Sequence, residues 1–151
     1  MRDEGGQVAG VEGLLFGLLI FVIGTLIVAN AWGVIDAKMA ASAAAREAAR
    51  TYVKAPAGSD ALGLAVAAGR DALTSLGRHN TDQRVDLVSG SFVRCSAVTF
   101  RVSVPVPLIK LPWLGAHGSG FTAVASHTEI VDPYRSGLTG DPQLKGAANC
   151  G

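Results

Sequence analysis

The chain has 151 residues and a formal net charge of +1, which suits one small domain with an appendage and argues against a dedicated nucleic-acid binder. Hydrophobic residues make up 49% of the sequence and charged residues only 17%, and the apolar excess is concentrated in the first third. The sequence therefore consists of an apolar N-terminal segment followed by a domain whose composition is closer to that of a typical globular protein.

Residues 13–35 form the first predicted element, because they contain no charged side chain. A helix rises about 1.5 Å per residue and needs roughly 20 residues to cross the hydrocarbon core of a bilayer. The segment is long enough for one crossing, and Trp32 near its far end is typical of an aromatic side chain at a membrane interface. We interpret residues 13–35 as a single transmembrane segment that follows a short cytoplasmic N-terminus at residues 1–12.

A secretory signal is the alternative interpretation of the same segment. Residues 29–31 have the sequence Ala-Asn-Ala, which matches the pattern that signal peptidase accepts after an apolar run. A cleavable signal, however, usually has an apolar region of about 7 to 15 residues behind positive charge, whereas Arg2 is offset here by Asp3 and Glu4. A cut after Ala31 would release a secreted domain without the apolar segment.

The apolar segment continues into an alanine-rich stretch of strong helix formers until Pro56 forbids further helix. One helix over residues 8–53 is therefore predicted, and residues 36–55 are expected to project beyond the membrane. A second, amphipathic helix is expected to begin at Ser59 as its N-cap and to stop at Gly77. Its apolar face is predicted from residues at three- and four-residue steps: Leu62, Val66, Gly69, Leu73 and Leu76.

After the second helix the hydrophobic period changes to two, which predicts strands. The clearest strand includes residues 98–104, where valine and phenylalanine alternate with polar side chains, and two more are predicted at residues 85–88 and 121–131. Strands that follow one another without an intervening helix favour an antiparallel sheet, and the second helix or the first would cover its apolar face. The expected fold is an α+β head at residues 56–134, followed by a loose tail at residues 135–151.

Two opposing features indicate the side of the membrane on which the head lies. Lys38, Arg46 and further basic residues follow the apolar segment, and the positive-inside rule would keep that side in the cytoplasm. Cys95 and Cys150, an even pair in a small domain, instead suggest a disulfide formed in an oxidising compartment. We expect the head to lie outside the cytoplasm, with two unlinked thiols as the alternative.

Small residues recur at every fourth position from the end of the apolar segment onward: Ala29, Gly33, Ala37, Ala41, Ala45 and Ala49. Gly13 and Gly17 add a separate G-x-x-x-G pair within the segment. In a membrane such rows let helix backbones approach closely, and in water the same row forms a ridge for packing. Simple alanine richness is the alternative, since Ala40, Ala44 and Ala48 form a second row. We interpret the first row and the glycine pair as a helix-packing surface.

Glu12 stands at the entrance of the apolar segment, where burial in hydrocarbon would be costly without a partner. An acid in the first turns of a helix also interacts favourably with the helix dipole, which is the alternative explanation. The surrounding "EGGQVAGVEGLLFGLLIFVIG" and the following "DAKMAASAAAREAARTYVKAP" resemble the start of the TadE-like minor pilins of tight-adherence (Tad/Flp) pilus systems, a branch of the type IV pilin superfamily. The later "VTFRVSVPVPL" and "ASHTEIVDPYR" resemble the strands of that group.

The resemblance implies a short leader, cut after a glycine on the cytoplasmic side by a prepilin peptidase, and a glutamate near the fifth mature position that helps subunits join. Gly6 matches the glycine before the cut, and Glu12 matches the glutamate. A cut after Gly6 makes Gln7 the first residue and Glu12 the sixth, whereas a cut after Gln7 places Glu12 fifth. A form that is not cut and stays in the membrane is the other outcome that this spacing leaves open.

No catalytic pattern stands out in the sequence. His79, His117 and His127 are too far apart for a metal-binding motif, and neither a P-loop nor a dinucleotide-binding fingerprint occurs. We therefore expect no enzyme, cofactor or metal. The resemblance to TadE-like minor pilins implies instead a structural subunit of a bacterial Tad/Flp-type pilus, anchored by one span in the cytoplasmic membrane or incorporated in the pilus. Its expected partners are the lipid bilayer, other pilins or minor pilins, pilus-assembly membrane proteins and a prepilin peptidase. A secreted or membrane-anchored binding domain is the alternative.

Overall fold

The computed structural model describes residues 5–79, 82–106 and 121–138, with side chains described from Glu12 onward. Two helices precede three strands in these ranges: α1 (Gly5–Lys54), α2 (Ala61–Ser75), β1 (Arg84–Ser89), β2 (Ala97–Val106) and β3 (Phe121–Ile130). The predicted long apolar helix, second helix and small antiparallel sheet are therefore confirmed, and the described chain is compatible with an α+β fold.

Helix α1 has 50 residues, which corresponds to a length of about 75 Å. Its composition of leucine, isoleucine and alanine suits a helix, and it ends immediately before Ala55 and Pro56 because proline lacks the backbone donor that another turn requires. The two halves of α1 have opposite surroundings. The first half is exposed on most sides, whereas from Ala37 onward one side is buried against the rest of the chain.

Helix α2 begins one residue later than predicted. The carboxylate of Asp60 accepts a hydrogen bond of 2.9 Å from the backbone N–H of Gly63, so Asp60 is the N-cap. The prediction that Ser59 caps the helix is wrong, because the hydroxyl of Ser59 donates instead to the carbonyl of Pro56, at 2.7 Å. That bond closes the turn between the two helices and leaves the capping position to the next polar residue.

The end of α2 is the predicted one. Gly77 has a φ angle of +74°, which a glycine adopts without a steric penalty. Its N–H donates to the carbonyl of Thr74 at 3.0 Å, and the N–H of Arg78 donates to the carbonyl of Leu73 at 2.9 Å. This pair of bonds is the Schellman arrangement that stops a helix and satisfies its last carbonyl groups.

The buried face of α2 agrees with the predicted one only in part, at Gly69 and Leu73. Its buried residues are Ala61, Ala65, Gly69 and Leu73, whereas Leu62 and Leu76 are 45% and 52% exposed. The reason is the distance to the neighbouring helix, because a Cβ atom placed on Gly69 would lie 3.3 Å from the Cβ of Ala48 on α1. At this separation only small side chains fit beside Ala48, while Leu62 and Leu76 are turned outward and Leu73, nearer the end of the helix, is buried.

The three strands form one antiparallel sheet in the order β1, β2, β3. Alternate residues of the central strand β2 form the core face and are almost completely buried, as the period of two predicts: Val98, Phe100, Val102 and Val104. Helix α1 covers this face along β2 and β3, while α2 runs beside α1 and reaches β1. The head is therefore built around the second half of α1.

Tyr52 joins α1 to the sheet near the end of the helix. Its ring makes edge-to-face contacts with Phe92, at 5.2 Å between ring centroids, and with Phe100, at 5.4 Å. The side chain is 5% exposed, and this burial raises the pKa of its phenol above the ordinary value of 10.0. The folded chain therefore keeps the Tyr52 proton at a pH where the unfolded chain has released it.

We expect the Tyr52 proton to make the head less stable at alkaline pH. The folded state binds more protons than the unfolded state between pH 10.0 and the raised pKa, so the free energy of unfolding falls as the pH rises through that interval and does not depend on this group at lower pH. Tyr52→Phe should remove this part of the alkaline loss in unfolding experiments between pH 9 and 11, with the exposed Tyr134→Phe as the matched control. Identical pH profiles for the wild-type protein and Tyr52→Phe would contradict the assignment.

Candidate functional site

Most of the exposed large apolar side chains in the described chain lie on the first half of α1. Their exposed fractions run from 45% at Val22 to 74% at Leu14, and Leu26 is half-buried. The mean hydropathy of the helix's most apolar window is 2.5, and no part of that window is buried inside the chain. Because apolar side chains surround this part of the helix on all sides, it suits a lipid environment rather than one flank of a soluble core. Helix α1 is therefore long enough and apolar enough to cross a membrane.

The polar side chains within this apolar surface are bonded to the helix itself. The hydroxyl of Thr25 donates to the carbonyl of Phe21 at 2.8 Å, and the amide of Asn30 donates to the carbonyl of Leu26 at 2.9 Å. A polar group without a hydrogen-bond partner costs several kcal/mol, on the order of 2–7, in an apolar medium. These bonds lower the cost of placing both residues in hydrocarbon.

The residues of the implied processing and assembly site lie at the beginning of α1. Gly6 and Gln7 belong to its first turns, and their side chains lie outside the described set. Glu12 is exposed, and no ion pair joins it to any residue whose side chain is described. The structure therefore leaves the carboxylate of Glu12 accessible at the edge of the apolar surface.

The predicted helix-packing row is divided between two surroundings. Its second part is completely buried in the head of the same chain: Ala37, Ala41, Ala45 and Ala49. Gly33 is half-buried, and a Cβ atom placed on it would lie 3.9 Å from Val106 of β2. Gly13, Gly17 and Ala29 are exposed, and an added Cβ would meet nothing within 4 Å at either glycine. Of this row, only the first part is exposed and can contact a helix of another molecule.

The second row of small residues, Ala40, Ala44 and Ala48, is buried as well. At one end of the seam between the helices the guanidinium of Arg78 binds the carboxylate of Asp36, and farther along Ala48 lies beside Gly69. Helix α2 therefore runs antiparallel to α1. Residues 36–55 form the centre of the head. The sequence predicts only that they project beyond the membrane.

Arg135 is a structural residue, although its position in the sequence predicts a loose tail. Its guanidinium donates to the carbonyl of Val53 and, at 2.6 Å each, to the carbonyls of Lys54 and Ala55. The last carbonyl groups of a helix have no partner within the helix and carry its negative dipole end, so a cation there stabilises the helix terminus. No local pattern could reveal this contact, because it joins residues about 80 positions apart.

The backbone around Arg135 is held in turn by its neighbours. The Nε of Arg94 donates to the carbonyl of Arg135 at 2.8 Å, and the guanidinium of Arg135 lies 5.9 Å from the ring centroid of Phe92. The N–H of Tyr134 donates to the carboxylate of Asp132 at 2.8 Å, which sets the turn before Arg135. The segment after β3 is thereby fastened across the end of α1.

Cys95 is disulfide-bonded in the structure and has a φ angle of +60°. Its backbone N–H donates to the carbonyl of Val131, just after β3, at 3.0 Å. Cys150 lies outside the described residues, so the pairing of these two cysteines stays a prediction.

Within the described ranges, no group of three or more His, Cys, Asp or Glu side chains could hold a metal ion. His127 contacts Glu129 at 3.1 Å and stands opposite Phe100, on the core side of β3. Ser126 stands opposite Arg101, on the other side of the strand. The neighbouring Ser126 and His127 therefore do not form a dyad, and His117 lies outside the described residues.

Comparison of the chain with protein-family models, with curated proteins and with solved structures finds no match.

The burial of the second part of the predicted packing row leads to a prediction about stability. Ala41→Leu adds three carbon atoms to a completely buried site between helix and sheet, and we expect it to lower the free energy of unfolding by about 1–3 kcal/mol. Ala43→Leu places the same side chain on the exposed face of the same helix and should change stability by no more than about 0.5 kcal/mol. Urea unfolding in detergent measures both, and equal effects of the two substitutions would contradict the packing described here.

Arg135 offers a second test. Arg135→Gln removes the charged donor from three carbonyl groups at the end of α1, and we expect a loss of about 1.5–3 kcal/mol in the free energy of unfolding. Arg50→Gln makes the same exchange at an exposed position of α1 and serves as the control. Hydrogen exchange of the last turn of α1 should rise in Arg135→Gln alone; unchanged protection there would show that water replaces the guanidinium without loss.

Proposed function

We propose that this chain is a membrane-anchored structural subunit of a bacterial pilus of the tight-adherence type, a minor-pilin-like protein that assists assembly or enters the filament. The observation that carries the proposal is the division of α1, whose first half is an exposed apolar rod and whose second half is the centre of the α+β head. Such a helix suits a subunit that is held by lipid before assembly and by other helices afterwards.

The proposed mechanism is an exchange of lipid contacts for helix contacts. Lipid tails are as apolar as leucine, so association within a membrane depends on close packing rather than on the hydrophobic effect. Gly13, Gly17 and Ala29 are the members of the predicted packing surface that remain available for such packing. Glu12 would fix the register by binding a positive group, which the resemblance suggests is the amino terminus of a neighbouring subunit.

The head is proposed to lie outside the cytoplasm, where Cys95 could form its disulfide. Because α1 runs unbroken from the apolar half into the core of the head, the head cannot turn independently of the span. A subunit with this rigid connection would present its head in one fixed orientation when its helix packs into a bundle.

The alternative, a secreted binding domain released after Ala31, is favoured by one observation. The completely buried part of α1 begins only at Ala37, so a chain that starts at Trp32 would keep every buried residue of the head. In that case the apolar half would serve only for export.

The mature N-terminus of the native protein distinguishes these functions. Mass spectrometry of the membrane and extracellular fractions should find a chain that starts at Gln7 or Val8 if a prepilin peptidase processes it. An intact Met1 in the membrane fraction would indicate an assembly factor that stays anchored. A start at Trp32 would overturn the pilin-like proposal in favour of the secreted domain.

The proposed role of Glu12 is testable by charge reversal. Glu12→Lys should abolish co-isolation with the other pilins, while the unfolding transition of the head stays unchanged because Glu12 lies far from the core. Glu47→Lys reverses a charge at an exposed position of the same helix within the head and should leave co-isolation intact. Normal piliation with Glu12→Lys would return Glu12 to a role in the helix dipole alone.

A further inference from the structure

The end of the head nearest the apolar half of α1 carries large exposed apolar side chains. Ile35 and Met39 on α1 are 54% and 67% exposed, Leu76 at the end of α2 is 52% exposed, and Phe121 at the start of β3 is 60% exposed. We call these four residues the apolar collar. Isolated apolar side chains are common on protein surfaces, but a group from three separate elements that continues an exposed apolar helix marks an interaction surface.

Contacts with the sheet place one side of the collar at a definite level along α1. Gly33 lies beside Val106, the last residue of β2, and Val106 is the register partner of Phe121. The ammonium group of Lys38 donates to the carbonyl of Val124, three residues further along β3. The beginning of β3 is therefore level with residues 33–38 of α1.

The ion pair between Arg78 and Asp36 places the other side of the collar at the same level, because Arg78 follows Leu76 by two residues. A helix needs roughly 20 residues to cross the hydrocarbon core, so residues 13–32 fill it when the crossing begins at the first apolar residues. Trp32, which is 72% exposed, then stands at the boundary with the lipid headgroups. The collar follows within about one or two helical turns.

We propose that the apolar collar seats the head directly on the lipid bilayer, with its four side chains in the interfacial region. This proposal rests on the proposed membrane span of α1. The partner is lipid because Ile35 and Met39 follow Trp32 on the helix that carries the span, and Leu76 and Phe121 lie at the same level, where the hydrocarbon ends. The charges at that level suit the interface, since Asp36 and Arg78 neutralise each other and Lys38 has a carbonyl partner.

The seat fixes which end of the head faces away from the membrane. Strand β3 starts at the collar, and the segment after it reaches the end of α1, where Arg135 binds the carbonyls of Lys54 and Ala55. Ile130, at the other end of β3, therefore lies about 30 Å from Phe121 and far from the lipid. A subunit that leaves the membrane exposes its collar, which then needs another apolar cover.

Quenching of single tryptophans by brominated lipid tests the seat. The full chain is reconstituted in phosphatidylcholine vesicles whose acyl chains are brominated close to the headgroups, in a Trp32→Phe and Trp113→Phe background. Phe121→Trp and, separately, Leu76→Trp should lose most of their emission relative to vesicles without bromine. Ile130→Trp, on the same strand as Phe121 and 50% exposed, is the matched control and should lose none. Far-UV circular dichroism verifies that each variant is folded.

The span is measured independently by the quenching of Trp32 in a Trp113→Phe variant. If Trp32 is quenched while the tryptophans introduced at positions 76 and 121 are not, the head stands away from the bilayer and the seat is overturned, although the span remains. If Trp32 is not quenched either, the proposed membrane anchoring fails and the seat fails with it. Equal quenching at positions 121 and 130 would overturn the upright orientation.

Discussion

The close approach of α1 to two neighbours at once is the constraint on which the rest of the structure depends. Every completely buried side chain of α1 between residues 37 and 49 is an alanine, and α2 brings Ala61, Ala65 and Gly69 to the same seam. A Cβ atom added at Gly69 would lie 3.0 Å from Val85 of β1 and 3.3 Å from Ala48 of α1, so there is no room for a larger side chain at this position. Because interiors are packed as densely as organic crystals, this closeness lets one helix be covered by a helix and a sheet together.

The same packing connects the head to the apolar half of α1. Helix α1 has no break between its exposed apolar half and its buried half, so the position of α2 and the sheet around residues 37–55 also sets the direction in which the apolar half leaves the head. A flexible linker would allow the head to reorient, whereas a continuous helix does not. In a helical assembly this rigid connection would convert the packing of the spans into a defined arrangement of heads.

Charged side chains act at the two ends of the packed half, and small apolar ones act between them. Asp36 and Arg78 join α1 to the end of α2 near the span, while Arg135 binds the terminal carbonyls of α1 at the opposite end. Arg135 acts at the end of α1 because only the ends of a helix offer unpaired backbone carbonyl groups to side chains, whereas Asp36 and Arg78 join the two helices through their side chains. The segment after β3 therefore belongs to the head through Arg135, although its composition resembles that of a loose tail.

The amino-acid sequence by itself determined the elements: an uncharged segment long enough for a membrane, a run of helix formers that lasts until Pro56, and a period of two from Val98 to Val104. Each of these depends on residues within a few positions of one another, so a local pattern shows it. The tertiary structure alone decided which face of α2 is buried and that Ala37 and the following alanines are used within the head. It also decided the role of Arg135. The contacts of Gly69 with Ala48, of Arg78 with Asp36 and of Arg135 with Ala55 join residues that are distant in the sequence, by 80 positions in the last case. Their geometry depends on how closely two surfaces approach, which no local spacing encodes.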